Sequence, residues 1–219
     1  MAIAFENADL CAELACRGLL EPYADMLLLP LGAPLELYRR VGDAVGESRL
    51  GVMLPAVVLE SEYAEFVGML REARESGVSA AMVSNLGQID ACRELGFKLL
   101  GGARLNVLNG ESRKFLEAAG LCEVALSQEL TLPQARDIGG LAFTLGRVPL
   151  MITERCFIKE NFGCKSCFSS RFPLCFWQVY ALWPESISPR RSQKPMWTAL
   201  SAKPELSLHP LIMSPPKVR

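Results

Sequence analysis

Short apolar runs alternate with amphipathic stretches along the first part of the chain, and a glycine follows several of these stretches. The apolar runs predict strands over residues 24–29, 49–54, 78–84, 97–100, 122–127 and 148–153. The amphipathic stretches predict helices over residues 59–76, 85–96, 110–120 and 131–138. Apolar runs that alternate with helices are typical of parallel strands, in a TIM-type barrel or an open doubly wound sheet. A full barrel needs eight strands, so we predict an α/β fold with an incomplete TIM-barrel-like repeat of about six parallel strands.

The composition changes from residue 168 onward. All three Trp, the single His and eight of the fourteen Pro fall after position 170, whereas no Gly occurs after position 163. Proline interrupts helices and strands, and no periodic pattern persists here. We therefore predict an α/β domain with a partial barrel over residues 1–167 and an irregular tail over residues 168–219. The tail has the composition of a disordered or out-of-frame segment, which indicates a truncated gene product.

The overall charge and hydropathy exclude several classes of protein. The formal net charge is −1, which does not favour nucleic-acid binding through bulk basicity, although a local basic groove stays open. No segment reaches the roughly 18 apolar residues of a membrane span, and the N-terminus lacks the pattern of a signal peptide. We expect a cytoplasmic protein without membrane contact. In that compartment its eight cysteines are thiols, metal ligands or catalytic groups rather than disulfides.

Four cysteines form the most specific motif of the sequence. Cys156, Cys164, Cys167 and Cys175 follow the pattern C-x7-C-x2-C-x7-C. Two thiolates separated by two residues can bind one metal ion or one cluster, because the intervening turn directs both sulfurs inward. The spacing is compatible with an iron–sulfur cluster, with zinc, with a redox dithiol, or with thiols that bind nothing. The remaining cysteines have apolar neighbours, and we expect them in the core: Cys11, Cys16, Cys92 and Cys122.

Charged side chains that follow predicted strands are candidates for catalysis. Glu129 and Glu154 follow two consecutive predicted strands and could form a pair of carboxylates, with Arg147 nearby. The alternative is that each carboxylate pairs with an arginine such as Arg147 or Arg155. A serine or cysteine protease would need a base, usually His, and His209 lies in the predicted tail.

Amide and guanidinium side chains also follow the predicted strands. Asn85, Arg104, Asn106 and Asn109 would meet at the carboxyl edge of the sheet, where they suit a polar or anionic ligand such as a base edge or a carboxylate. The alternative for each Asn is helix capping: Asn85 is well placed to begin one helix and Asn109 the next.

Several motifs resemble those of one known family. Residues 146–156 (GRVPLMITERC), followed by Gly163, Cys164 and Cys167, resemble the hallmark of peptidase family U-32. Residues 84–88 (SNLGQ), 105–109 (LNVLN) and 127–132 (SQELTL) are similar to the same family, in the same order. The resemblance covers roughly residues 20 to 167.

The resemblance implies a function and a cofactor. The family consists of collagenase-like peptidases on a TIM-barrel-like fold, and some members are iron–sulfur proteins that hydroxylate RNA bases or quinone precursors without oxygen. Carried over by motif, Cys156, Cys164 and Cys167 would be cluster ligands. The family also has an additional strand-rich section before such a segment, which a partner subunit or a missing N-terminal section would supply.

Three functions are therefore open. We expect a fragment of an iron–sulfur enzyme of the hydroxylase type, which acts on RNA bases or a small aromatic substrate. The alternatives are a collagenase-like protease that hydrolyses peptide bonds and an inactive truncated fragment. For the metal centre, zinc or no metal is the alternative to the cluster.

Overall fold

The computed structural model of the chain describes residues 2–5, 7–20, 22, 24–145, 147–149, 178–180 and 211–214, with side chains up to residue 143. The chain divides into two units. The larger consists of residues Met1–Leu145 and Pro189–Arg219, and the smaller of Gly146–Ser188. None of the helices within the described ranges has the length and apolar character that crossing a bilayer requires.

Six parallel strands form a curled half-barrel in the larger unit. They are β1 (Ala2–Ala4), β2 (Met26–Pro30), β3 (Leu50–Met53), β4 (Ala80–Val83), β5 (Lys98–Gly101) and β6 (Glu123–Val124). Each strand pairs in parallel with the next one along the chain. The predicted α/β fold with a partial barrel is therefore confirmed.

Helices connect these strands in the manner of a βα repeat. They are α1 (Ala8–Cys16), α2 (Leu35–Val45), α3 (Tyr63–Glu75), α4 (Ile89–Glu94), α5 (Gly110–Ala118) and α6 (Leu132–Ile138). The four predicted helices correspond to α3 through α6. The glycines that follow α3, α4 and α5 all have positive φ, at 91°, 74° and 98°, which is the backbone geometry that ends a helix at glycine.

Two further strands extend the sheet beyond β1. Strand β10 (Leu211–Ser214) pairs antiparallel with β1 and with β7 (Ala142–Leu145). Leu141, just before β7, also donates its N–H to the oxygen of Val124 at 2.9 Å and accepts the N–H of Leu126 at 2.8 Å. The sheet order β6-β5-β4-β3-β2-β1-β10-β7 thus returns towards the strand from which it starts.

One of the six predicted strands, over residues 148–153, is not among the six parallel strands of the structure. Residues 147–149 form β8 (Arg147–Pro149), which pairs antiparallel with β9 (Gln178–Tyr180) in the smaller unit. Residues 150–153 of the predicted strand lie outside the described residues. Strand β1, which the sequence did not predict, completes the six parallel strands. Its three residues are too few to show a pattern. Strands β9 and β10 fall in the predicted tail, the rest of which also lies outside the described residues.

Both faces of the sheet are buried, and side chains alternate between them. In β2, Leu27 and Leu29 face the helices, whereas Met26 and Leu28 face the interior of the half-barrel. The interior cluster consists of small and medium side chains: Ala2, Ala4, Met26, Leu28, Ala80, Met82, Leu100, Ala125 and Leu141. Gly51 leaves room there, because a Cβ at this position would lie 2.7 Å from Cδ2 of Leu28. Because the six strands are parallel, their carboxyl ends all lie at one edge of the sheet, where the loops into the helices begin.

Candidate functional site

The described candidate residues all lie in loops at the carboxyl edge. Asn85 follows β4, while Arg104, Asn106 and Asn109 follow β5, and Glu129 lies beyond β6. Asn85 is half-buried and the other four side chains are exposed. These three strands are neighbours in the sheet, so their loops share one stretch of its edge.

Three polar side chains after β4 attach this loop to the loop after β3. The hydroxyl of Ser84 donates to the carbonyl of residue 54 at 3.0 Å, and the amide nitrogen of Asn85 donates to that of residue 56 at 3.3 Å. Between them, Nε2 of Gln88 donates to the carbonyl of residue 55 at 2.7 Å. We call these three residues, Ser84, Asn85 and Gln88, the amide clamp. It fixes three consecutive carbonyl groups of the neighbouring loop.

Gln88 is the centre of the amide clamp. Its side chain is 2% exposed, and its Oε1 accepts the N–H groups of Ser84 at 2.8 Å and Asn85 at 3.2 Å. A buried primary amide is stable only when its donors and acceptor find partners, and here both ends of the amide do. Gln88 lies in the motif at residues 84–88 but not among the candidate site residues that the sequence predicts. The available signal was a polar residue among the apolar positions that lead into a helix.

The residues after β5 differ in structure: Asn109 caps a helix, and Asn106 has a left-handed backbone. Oδ1 of Asn109 accepts the N–H of Ser112 at 2.8 Å and so caps α5, which was the alternative for this residue. Asn106 has φ 51° and ψ 54°, and it is the one non-glycine residue with positive φ in the described part of the chain. Backbone in this region is strained and is common at functional sites. Arg104 lies in the short 3-10 turn just before it, with an exposed side chain.

A buried tyrosine fixes the loop after β2. The hydroxyl of Tyr38 donates to the carbonyl of Pro30 at 2.7 Å and accepts the N–H of Ala33 at 3.2 Å. Its side chain is 1% exposed, and burial raises the pKa of Tyr38 to about 12, which the hydrogen bonds from the loop oppose. The loops after β2, β3 and β4 are therefore all held by side-chain hydrogen bonds.

The predicted metal ligands lie outside the described residues. This applies to Cys156, Cys164, Cys167 and Cys175, and to the predicted catalytic Glu154; of Arg147 only the backbone in β8 is described. Within the described residues, no three His, Cys, Asp or Glu side chains converge as metal ligands would. The chemistry of the four-cysteine set fits the group that it is predicted to hold, because four thiolates bind either an iron–sulfur cluster or zinc.

The other four cysteines divide into two pairs. Cys11 and Cys92 are buried as predicted, and burial raises the pKa of each thiol to about 12, with the nearby Cys16 adding to the effect at Cys11. Cys16 and Cys122 are exposed, so their predicted place in the core is wrong. Cys16 is the last residue of α1, where the chain leaves the core, and Cys122 lies in the bend before β6 with its side chain exposed.

These features define an α/β protein of the half-barrel type, with polar side chains at the carboxyl ends of its parallel strands. The model of the family described as peptidase family U32 matches residues 42–169, more than half of the chain. The chain belongs to peptidase family U32. The resemblance found in the sequence motifs is thereby confirmed.

Two individual proteins are similar to parts of the chain. The uncharacterized protease MJ0090 of Methanocaldococcus jannaschii is 30% identical over an alignment of 115 residues, which covers 48% of this chain. The chain spans only 28% of the length of that relative. A mandelate racemase/muconate lactonizing protein from Paracoccus denitrificans, crystallised with magnesium, has a TM-score of 0.39 and 11% identity, over 57% of this chain and 38% of its own.

Proposed function

We propose that the chain is part of a U32-family enzyme that carries an iron–sulfur cluster on Cys156, Cys164 and Cys167. The observation that carries the proposal is the C-x7-C-x2-C spacing within the family-like segment. A C-x2-C pair with a third cysteine nearby supplies three thiolates from one short stretch of chain. Cys175 would be the fourth ligand. The cluster, when bound, supplies one-electron chemistry.

The proposed reaction class is oxygen-independent hydroxylation of an RNA base or a small aromatic molecule. The chain's own part would be to bind and orient the substrate at the carboxyl edge. Arg104 and Asn106 are suited to this, because both side chains are exposed there, and guanidinium and amide groups match the hydrogen-bonding edges of bases. The amide of Asn85 has a partner within the amide clamp, so a substrate contact by Asn85 would have to share or replace that bond.

The experiment is anaerobic purification of the full chain, followed by measurement of iron and acid-labile sulfide per chain. We expect iron and sulfide in similar amounts and a brown colour. Cys164→Ala should lose both. Cys16→Ala is the matched control, because Cys16 is an exposed thiol outside the motif, and this variant should retain both. Zinc without sulfide, or equal loss in the two variants, would overturn the proposal.

Peptide hydrolysis is the competing function of the same family. It is supported by the family's description and by the predicted carboxylates Glu129 and Glu154. Gelatin cleavage that survives Cys156→Ala but is lost in Glu154→Gln would favour this function over the cluster. A colourless protein that also leaves gelatin intact would favour an inactive fragment.

A further inference from the structure

An apolar groove lies at the carboxyl ends of β2 and β3, next to the amide clamp. Its volume is about 540 Å³, which is in the range of sites for small organic ligands. The apolar lining comes from the loop after β3 and from the inner face of α3: Met53, Leu54, Val57, Val58, Phe66 and Met69. Pro30 and Leu31, at the end of β2, also line the groove.

The walls of the groove are preorganised. Tyr38 holds the carbonyl of Pro30, and the amide clamp holds the carbonyls of residues 54 and 55, which belong to the lining residues Leu54 and Pro55. A site whose walls are already fixed loses little conformational freedom when a ligand binds, so more of the contact energy appears as affinity.

The rim of the groove is acidic. Glu62 and Glu65, at the start of α3, are the two charged residues among its lining, and no basic residue of the described chain lines it. Glu62 also accepts the N–H of Leu59 at 3.4 Å, so one of its oxygens has a structural role. Two carboxylates above an apolar floor complement a ligand that joins an apolar body to a cationic group.

The mouth of the groove exposes apolar surface. Val57, which lines the groove, is 56% exposed. Covering such surface with an apolar ligand stabilises the complex. We infer that the groove binds a small amphiphilic amine, with the apolar body against Met53, Val57 and Met69 and the ammonium group between Glu62 and Glu65. The inference does not rest on the proposed cluster.

Three probes of similar shape and different charge test the inference: 4-phenylbutylamine, 4-phenylbutanol and 4-phenylbutyrate. Binding is followed on the purified full chain by NMR of ¹³C-methyl-labelled methionine. Met53 and Met69 line the groove, whereas Met26 lies in the interior of the half-barrel at the opposite end of β2 and serves as an internal control. We expect the amine to shift the first two methyl signals saturably, to bind about five- to ten-fold more tightly than the alcohol, and to bind far more tightly than the anion.

Matched variants locate the charge and the apolar contact. Glu65→Gln should weaken amine binding about two- to five-fold and leave alcohol binding unchanged, and Glu62→Gln, which retains the capping acceptor, gives a second reading. Glu36→Gln is the control, because Glu36 also lies in the first turn of a helix but outside the groove. Val57→Lys should abolish amine binding, whereas the same change at the exposed Leu132 should not.

Several outcomes would overturn the inference. They are equal affinity for the three probes, shifts that do not saturate or that appear equally at Met26, and a Glu65→Gln variant that behaves like Glu36→Gln. Iron content measured on the same samples keeps the two proposals distinguishable. A protein without iron that still binds the amine would contradict only the proposed function. A protein with iron that does not bind the amine would contradict only this inference.

Discussion

Replacement of Gln88 by leucine tests whether the amide clamp holds the carboxyl edge together. Leucine fills a similar volume but offers no polar atoms. It would leave three groups without their partner: the N–H groups of Ser84 and Asn85 and the carbonyl of Pro55. Each such group costs about 1 to 3 kcal/mol when it is fully buried. Ser84 and Asn85 are half-buried and Pro55 is exposed, so water reaches them in part, and we expect a total loss of about 2 to 4 kcal/mol.

The chain offers a matched control at Gln134. Oε1 of this glutamine accepts the N–H of Thr131 at 3.0 Å, in the same capping arrangement that Gln88 makes with Asn85. Gln134 is exposed and makes no described contact with a distant loop, so Gln134→Leu should cost about 1 kcal/mol or less. The free energies of unfolding are compared by urea titration followed by circular dichroism. Equal losses in the two variants would refute the reasoning.

Gln88→Glu adds a pH-dependent version of the same test. A carboxylate at this position could still accept the two N–H groups, but it would face the carbonyl of Pro55 without a proton to donate. This repulsion and burial raise the pKa of the new carboxyl, the two accepted N–H groups lower it, and we expect the first two effects to dominate at this buried position. Its protonated form is therefore the stable one, so the variant should approach the native protein near pH 4 and lose stability as the pH rises towards 7. A loss of stability that does not vary over this range would contradict the geometry of the amide clamp.

Two further predictions follow from buried groups with raised pKa. Burial raises the pKa of Tyr38 to about 12, so native stability should fall as the pH rises from 10 to 12. Tyr38→Phe should reduce that pH dependence and lower stability at pH 7 by about 1 to 3 kcal/mol. Urea titration at each pH measures both effects. Among the four cysteines within the described residues, alkylation of the native protein, mapped by mass spectrometry, should modify Cys16 and Cys122 quickly and Cys11 and Cys92 only after unfolding. Equal rates for all four thiols would contradict the described burial.

The βα repeat could be predicted because most of its strands are buried on both faces. A strand such as β2, with Leu27 on one face and Leu28 on the other, appears in the sequence as an uninterrupted apolar run. Strand β1 has only three residues, and its place in the sheet depends on pairing with β2 rather than on its own pattern. Helix α2 was missed although its buried residues Leu37, Val41 and Val45 recur at helical spacing.

The candidate site was predictable only where its contacts are local. Asn109 caps a helix that starts at the next residue, and its hydrogen bond reaches only three positions along the chain, to Ser112. Gln88 instead binds a carbonyl 33 positions away, which only the parallel pairing of β3 and β4 brings close. The same reasoning explains the cysteines: apolar neighbours in sequence did not distinguish Cys92 in the core from Cys122 in an exposed turn.

The amide clamp changes how the family-like motif at residues 84–88 should be interpreted. A motif of Ser, Asn and Gln at the carboxyl edge suggests substrate binding, yet all three side chains donate to the main chain of one neighbouring loop. That loop lines the apolar groove, and Tyr38 fixes the carbonyl of Pro30, another residue of its lining. Rigid loops at this edge make it a suitable support for chemistry without supplying the reacting groups themselves. The exposed side chains of Arg104 and Asn106, farther along the same edge, are then better placed to contact a substrate than the residues of the amide clamp.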